Sequence, residues 1–153
     1  MTNVGLEQLH AALEEDGLDG ALKLLNQSTE HRYTAVYLLR DSLLKNVALY
    51  DKAGEVKPEY LAEVPLGVSF CQFVLREGQF LTSNSGTDDR LNGHPYQGVM
   101  VSYSGVPVTD TQGKLCGTLC HFDVVQRTLS DQNYELLQQA AKVFSNFLAQ
   151  TTG

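Results

Sequence analysis

Leucines recur at helical spacing from the start of the chain. Leu6, Leu9 and Leu13, with Ala12 beside them, share one helix face until Gly17 and Gly20 interrupt it. Leu18, Ala21, Leu22 and Leu25 then mark a second short helical segment. At Tyr33 the period changes. Tyr33–Arg40 and Leu43–Tyr50 are rich in Tyr, Val and Leu, and Asp41-Ser42 between them predicts two strands joined by a tight hairpin. A polar acidic stretch, Glu55–Glu63, reads as a loop with one helical turn. Ser69 can cap a short helix from Phe70 to Glu77 that Gly78 closes, and Gln79–Ser83 reads as a strand. Asn84 to Gln97 has no periodicity, and so long a structureless stretch is usually functional or mobile. Val99–Val108 and Leu115–Val124 form a second strand pair turned by residues 109–113. Ser130 caps a long helix from Asp131 to about Ala149, striped with Leu136, Leu137, Ala140, Ala141, Phe144, Phe147 and Leu148.

Hairpins imply an antiparallel sheet, and the striped terminal helices need one of its faces. The expected class is therefore α+β: a sandwich of about five strands, helices on one face, loops able to build a pocket on the other. The length of 153 residues fits one domain, with N-terminal helices over 4–28, a core over 29–128 and a C-terminal helix over 130–150.

Composition narrows the setting more than the function. The chain is 42% apolar and 19% charged, so a packed core is expected and global disorder is not. Its net charge of −7 argues against a nucleic-acid-coating surface. No apolar run approaches the roughly 18–20 residues of a membrane span, and the acidic N-terminus does not resemble a signal peptide. A cytoplasmic protein is expected. The odd count of 3 cysteines, Cys71, Cys116 and Cys120, agrees with a reducing compartment. On one strand, Cys116 and Cys120 would stand roughly 13 Å apart, beyond the reach of about 7 Å that a disulfide allows.

Four segments read together resemble GAF domains. These are Val64-Pro65-Leu66-Gly67-Val68-Ser69-Phe70-Cys71, Tyr103-Ser104-Gly105-Val106-Pro107-Val108, Gly117-Thr118-Leu119-Cys120-His121-Phe122-Asp123, and Leu129-Ser130-Asp131 before an apolar helix. The resemblance implies an antiparallel sheet of five or six strands, with terminal helices on one face and a loop-covered small-molecule pocket on the other. It implies a sensory or regulatory module that binds a small ligand and signals through a homodimer of terminal helices or a partner signalling protein. Such a fold uses nearly all of the length and leaves no room for an output domain. The ligand stays open, and no cofactor is specified.

Three branches of the family can be compared residue by residue. Free methionine sulfoxide reductases carry a Gly-His-Ile-Ala-Cys-Asp loop; here the loop reads Gly93-His94-Pro95-Tyr96-Gln97, with Gln97 at the thiol position. Such chemistry needs an attacking thiolate and a resolving partner. The loop has no cysteine, so a redox enzyme using Cys71 is the disfavoured alternative. The Asn-Lys, Phe and Asp-Glu pattern of cyclic-nucleotide binders is absent, and Asp123-Val124, Leu129 and Asn133-Tyr134 stand there instead. Cys120-His121 matches the bilin-attaching dipeptide but lies in a strand, where chance is the better reading.

The candidate ligand-binding residues are Cys71, Asp88, Arg90, His94, Tyr96 and Tyr103. Cys71 opens a short helix, where a thiol can be acidified; packing by a small buried residue is the preferred reading of it. Cys116 and Cys120 are read as strand core on one face with Thr118. Arg90 could clamp an anion and His94 could titrate near neutrality, against the plainer reading of an exposed loop whose Asp and Gly residues make turns. Tyr96 and Tyr103 could stack on a ligand or simply pack. Arg90 and the capped helix start at Ser69 suggest a small anionic ligand. A metal held by His94, Cys120, His121 and Asp123 is not expected, because adjacent strand residues face opposite ways. Glu55, Glu59 and Glu63 are explained by a solvated face, and a ligand-free interaction scaffold is the remaining alternative.

Overall fold

A computed structural model describes residues 5–55, 61–110 and 112–152, without the side chains of Val68 and of 149–152. In chain order the elements are α1 (Leu6–Asn26), β1 (Tyr33–Arg40), β2 (Leu43–Asp51), β3 (Glu63–Pro65), α2 (Cys71–Glu77), β4 (Phe80–Thr82), β5 (Ser102–Thr109), β6 (Leu115–Asp123) and α3 (Asp131–Thr152). The strands form one six-stranded antiparallel sheet in the order β3-β2-β1-β6-β5-β4. No described helix is long and apolar enough to cross a membrane.

Local chemistry explains the connections. Asp41 and Ser42 take φ of 51° and 67°, the left-handed pair that lets a two-residue turn follow the sheet's twist. The two N-terminal helical segments expected around Gly17 are one element broken there, where φ is 73° and ψ is −161°. Gly78, at φ 86°, closes α2 by donating its N–H to the Val74 carbonyl at 2.8 Å. The Ser69 hydroxyl accepts the Gln72 N–H at 3.2 Å, although Phe70 rather than Ser69 directly precedes the helix. The acidic stretch expected to hold a helical turn lies mostly outside the described residues, Glu59 included. Its far end contains a strand that hydropathy missed: three-residue β3, paired with Leu43–Lys45.

The pleat sorts side chains into two cores. Val36, Leu38, Ala48, Val106, Val108 and Leu119 meet Leu9, Leu13, Leu22 and Leu25 of α1 and Leu137, Ala140, Phe144 and Leu148 of α3. Most of the α3 stripe is covered within one chain, with Leu137, Ala140, Ala141, Phe144 and Leu148 buried and Leu136 and Phe147 partly so. The width of that stripe therefore does not itself call for a second copy. On the opposite face, Tyr33, Ala35, Tyr37, Leu44, Tyr103, Cys120 and Phe122 are covered by α2 and by the loops on either side of it.

Cys116 does not share a face with Cys120. A register shift between Val108 and Thr109 lies opposite it, and Cys116 packs against the helix-side core with its thiol 3.5 Å from the Val108 carbonyl. The bulge inserts one residue and so reverses the parity on which the one-face expectation rested.

Candidate functional site

The covered face encloses a cavity of about 50 Å³. Alternate residues of three strands form its floor: Tyr37 from β1, Tyr103 from β5, and Cys120 and Phe122 from β6. Ser69, Phe70 and Cys71 close it from the start of α2, and Leu44, Leu61, Val64, Tyr96 and Met100 complete the wall. A site for one water needs about 10–15 Å³ by this measure, so the space suits a few water-sized molecules. Among the described residues, Lys and Arg are absent from this lining.

The loop over residues 84–97 is held down by two buried anchors. Leu91 is buried in the covered core. Ser85 donates its hydroxyl to the Met100 carbonyl at 2.7 Å and accepts the Gly98 N–H at 2.9 Å. Two short 3-10 turns, Ser85–Thr87 and Asp89–Leu91, supply the local structure that hydropathy does not show.

The candidate residues divide into two groups. Cys71, Tyr96 and Tyr103 line the cavity. His94 stands just behind it, its ring 4.7 Å from that of Phe70 and its Nε2 3.3 Å from the Ser69 carbonyl, and burial lowers its pKa. Asp88 and Arg90 lie elsewhere, in an open depression formed with Leu81, Thr82, Ser83 and Asn84. There the Nε and Nη2 of the guanidinium are engaged. Its Nε donates to Asp88 Oδ1 at 2.9 Å, its Nη2 to Asp88 Oδ2 at 2.6 Å and to the Leu81 carbonyl at 2.7 Å, and it covers the Phe80 ring at 4.6 Å. These bonds hold the Asp88 carboxyl down to about 2. Gln97, where the reductases would carry a thiol, bonds to the Asp88 carbonyl and to Asn92 within its own loop.

Chemical interest concentrates on sulfur. Cys71 Sγ lies 3.2 Å from Tyr103 Oη and 3.2 Å from Thr118 Oγ1, and the Cys120 thiol lines the same cavity. Gly105, paired across the sheet with Cys120, makes the cluster possible. A Cβ there would sit 2.5 Å from Tyr103 Oη, so only glycine lets the ring lie along the strand toward the thiols. Contact with Cys120, Thr118 and Tyr103 makes Cys71 more acidic than an ordinary thiol despite its burial. Burial pushes Cys120 well up, and it pushes the Tyr103 phenol up as well, so Tyr103 stays a donor. Sequence reading assigned Cys120 to plain strand core. Its parity with Thr118 and Phe122 was visible, but the arrival of Cys71 over that parity was not. Cys120 and His121 face opposite sides of the sheet, and the described residues contain no group of three or more His, Cys, Asp or Glu able to hold a metal.

No protein-family model matches the chain, and no curated protein matches it. Solved structures do. The GAF domain of an Acinetobacter phosphoenolpyruvate-protein phosphotransferase aligns with a TM-score of 0.74 at 19% identity, over 99% of this chain and 97% of that one. Free methionine-R-sulfoxide reductase from Neisseria meningitidis, in complex with its substrate, aligns with a TM-score of 0.74 at 14% identity, over 97% and 89%. A protein with bound biliverdin in a far-red-absorbing dark state aligns with a TM-score of 0.71 at 12% identity, over 97% and 99%. Likeness at this identity is likeness of fold. The chain has the GAF fold, a curled six-stranded antiparallel sheet with its long helices on one face.

Proposed function

We propose that this protein is a small-molecule-binding regulatory module whose ligand site is the cavity beneath α2 and the 84–97 loop. The observation that carries the reading is the cavity's position and lining: apolar and aromatic walls with two thiols, a serine and three tyrosines, on the face that the long helices leave free. A bound substrate and a bound bilin in two proteins of the same fold support ligand binding on this scaffold.

The lining favours a compact neutral ligand. An anion would enter a wall whose described residues include no Lys or Arg, and burying an unpaired charge there is costly. Arg90, which motivated the anionic expectation, already serves Asp88 and the Leu81 carbonyl. Drug-sized ligands occupy about 300–1,000 Å³, so anything beyond a few heavy atoms requires the Tyr96 and Met100 segment to move outward. In this reading the output passes through the terminal helices to a second copy or a partner chain.

Thermal-shift screening of small neutral apolar compounds against small carboxylates and nucleotides tests the ligand class. Saturating a site at 100 times Kd stabilises by about 2.7 kcal/mol, a readily measured rise in Tm. A shift with neutral compounds that Met100→Trp abolishes is the expected result. A shift with anions alone would overturn the neutral assignment, and no shift with either class would favour a ligand-free interaction scaffold. Sedimentation at high concentration tests self-association, and a monomer would redirect the output to a heterologous partner.

A further inference from the structure

We propose that Cys71 and Cys120 are a peroxide-oxidisable dithiol that closes into an intramolecular disulfide across the cavity floor. The two thiols come from elements far apart in sequence, the start of α2 and the middle of β6, yet both are buried in one cluster and line the same small space. This inference does not depend on whether the cavity takes any organic ligand.

Three features of the geometry carry it. First, the two sulfurs are a pair and the third is excluded, since Cys116 lies on the helix side of the sheet. Second, Tyr103 Oη and Thr118 Oγ1, each 3.2 Å from Cys71 Sγ, are placed to stabilise a thiolate there. Third, the cavity of about 50 Å³ has room for hydrogen peroxide, comparable in size to a pair of waters.

The chemistry balances with hydrogen peroxide as the oxidant. The Cys71 thiolate attacks one peroxide oxygen, the O–O bond breaks, and hydroxide leaves to be protonated as water. Cys71 is then a sulfenic acid. The Cys120 sulfur attacks the Cys71 sulfur, the S–S bond forms, and the sulfenic hydroxyl departs with the Cys120 proton as a second water. Two thiols lose two electrons and two protons in all, and one peroxide becomes two waters. A dithiol reductant reverses the change by exchange. Closure brings the two sulfurs to a covalent length of about 2.05 Å.

The experiment uses the whole chain. The reduced protein is treated with a small excess of hydrogen peroxide, free thiols are alkylated, and intact mass and peptide maps are read. The expected result is a fall from 3 free thiols to one, loss of two hydrogens, and a linked pair of peptides containing Cys71 and Cys120, with Cys116 alkylated. Oxidation should outpace that of free cysteine at least tenfold. Cys120→Ser should stop at a Cys71 sulfenic acid that dimedone traps, and Cys71→Ser should lose the fast reaction altogether. Three outcomes would overturn the proposal: linkage through Cys116, linkage only between two molecules, or oxidation of the wild-type chain no faster than free cysteine. The wild-type mapping decides the matter even where a variant folds poorly.

Discussion

Leu119 and Cys120 are consecutive on β6, yet Leu119 enters the core between sheet and long helices while Cys120 forms the wall of a cavity. The helix side is tied by large aliphatic and aromatic groups, Phe144, Leu9 and Leu22 among them, each fully buried. The cavity side is roofed by seven-residue α2 and by loops, and two of its hydroxyls stand against the Cys71 sulfur. The helix side has its own polar corner, built to the opposite plan. Asn26 Nδ2 donates to Thr34 Oγ1 at 2.8 Å and to the His31 carbonyl at 3.0 Å, and Lys52 Nζ reaches Asn26 Oδ1 and the Thr29 carbonyl. Thr29 and Thr34 hold the Nδ1 atoms of His31 and His121, each at 2.7 Å. Both imidazole Nε2 atoms are buried with no hydrogen-bond partner among the described residues. Neutral rings suit that corner, whereas the cavity side favours a charged sulfur. One sheet thus separates a region that keeps its imidazoles neutral and holds the fold from a region that can generate charge on sulfur and react.

Matched truncations break the comparison most directly. Leu119 and Leu44 are both fully buried, but Leu44 already borders empty space. Leu119→Ala should cost about 4–5 kcal/mol, the upper part of the range for core leucines, because its neighbours on α1 and α3 cannot close the hole. Leu44→Ala should cost about 2–3 kcal/mol, since fewer contacts are lost and the cavity merely grows. Urea denaturation measures both. Equal losses would mean that the two faces are packed alike.

Acid sharpens it next. Burial pushes His31 down to about 4 and His121 well below its ordinary value of 6.5, with the neighbouring imidazole and Lys52 adding to the effect on His121. Asp123 opposes it at His31, and Arg127 and Lys52 reinforce it. Folded pKa values below the unfolded value mean that the unfolded chain binds protons first. Stability is therefore complete above pH 6.5 and falls as pH drops below it, by about 1.4 kcal/mol per unit for each histidine. For His31 the loss ends near pH 4, after about 3 kcal/mol in all. His94, on the cavity side, is displaced in the same direction and is only half-buried, so it adds less. The midpoint of urea unfolding should fall steadily from pH 6.5 to 4. The double variant His31→Gln, His121→Gln should flatten that slope, while His94→Gln should leave most of it. An unchanged slope in the double variant would remove the histidine corner from the account.

The frame was legible because each element carried its own chemistry. Period-two apolar runs and Asp41-Ser42 define the first hairpin, and Ser130 followed by an apolar stripe defines α3; its Oγ accepts the Asn133 N–H at 3.1 Å. Boundaries shifted where the tertiary setting decided them. β5 starts at Ser102 rather than Val99, because Val99 belongs to the turn that brings Met100 over the cavity. The site was half legible. Cys71, Tyr96 and Tyr103 sit on the cavity, whereas Arg90 and Asp88 satisfied each other two residues apart, a local pairing that charge counting cannot distinguish from an anion clamp. That Cys71 and Cys120 share one cavity depends on α2 crossing β6, information that resides in neither segment alone.

The smallest expected effect on stability tests the cavity side where it differs most from the helix side. Tyr103→Phe keeps the ring packed against Phe70 and Phe80 and removes only the hydroxyl at Cys71. One hydrogen bond to a thiol supports a stability loss of about 1 kcal/mol or less. Its effect on reactivity should be larger in proportion. Without the phenol the Cys71 thiolate loses a donor, its pKa rises, and alkylation by iodoacetamide at neutral pH should slow severalfold, with the midpoint of the rate–pH curve moving up. Thr118→Val removes the other hydroxyl from the same sulfur and should act in the same direction. Variants that lose stability without changing the rate–pH midpoint would make Tyr103 a packing residue and leave Cys71 an ordinary buried thiol. A shifted midpoint with near-native stability would assign the hydroxyl to the chemistry of the sulfur rather than to the fold.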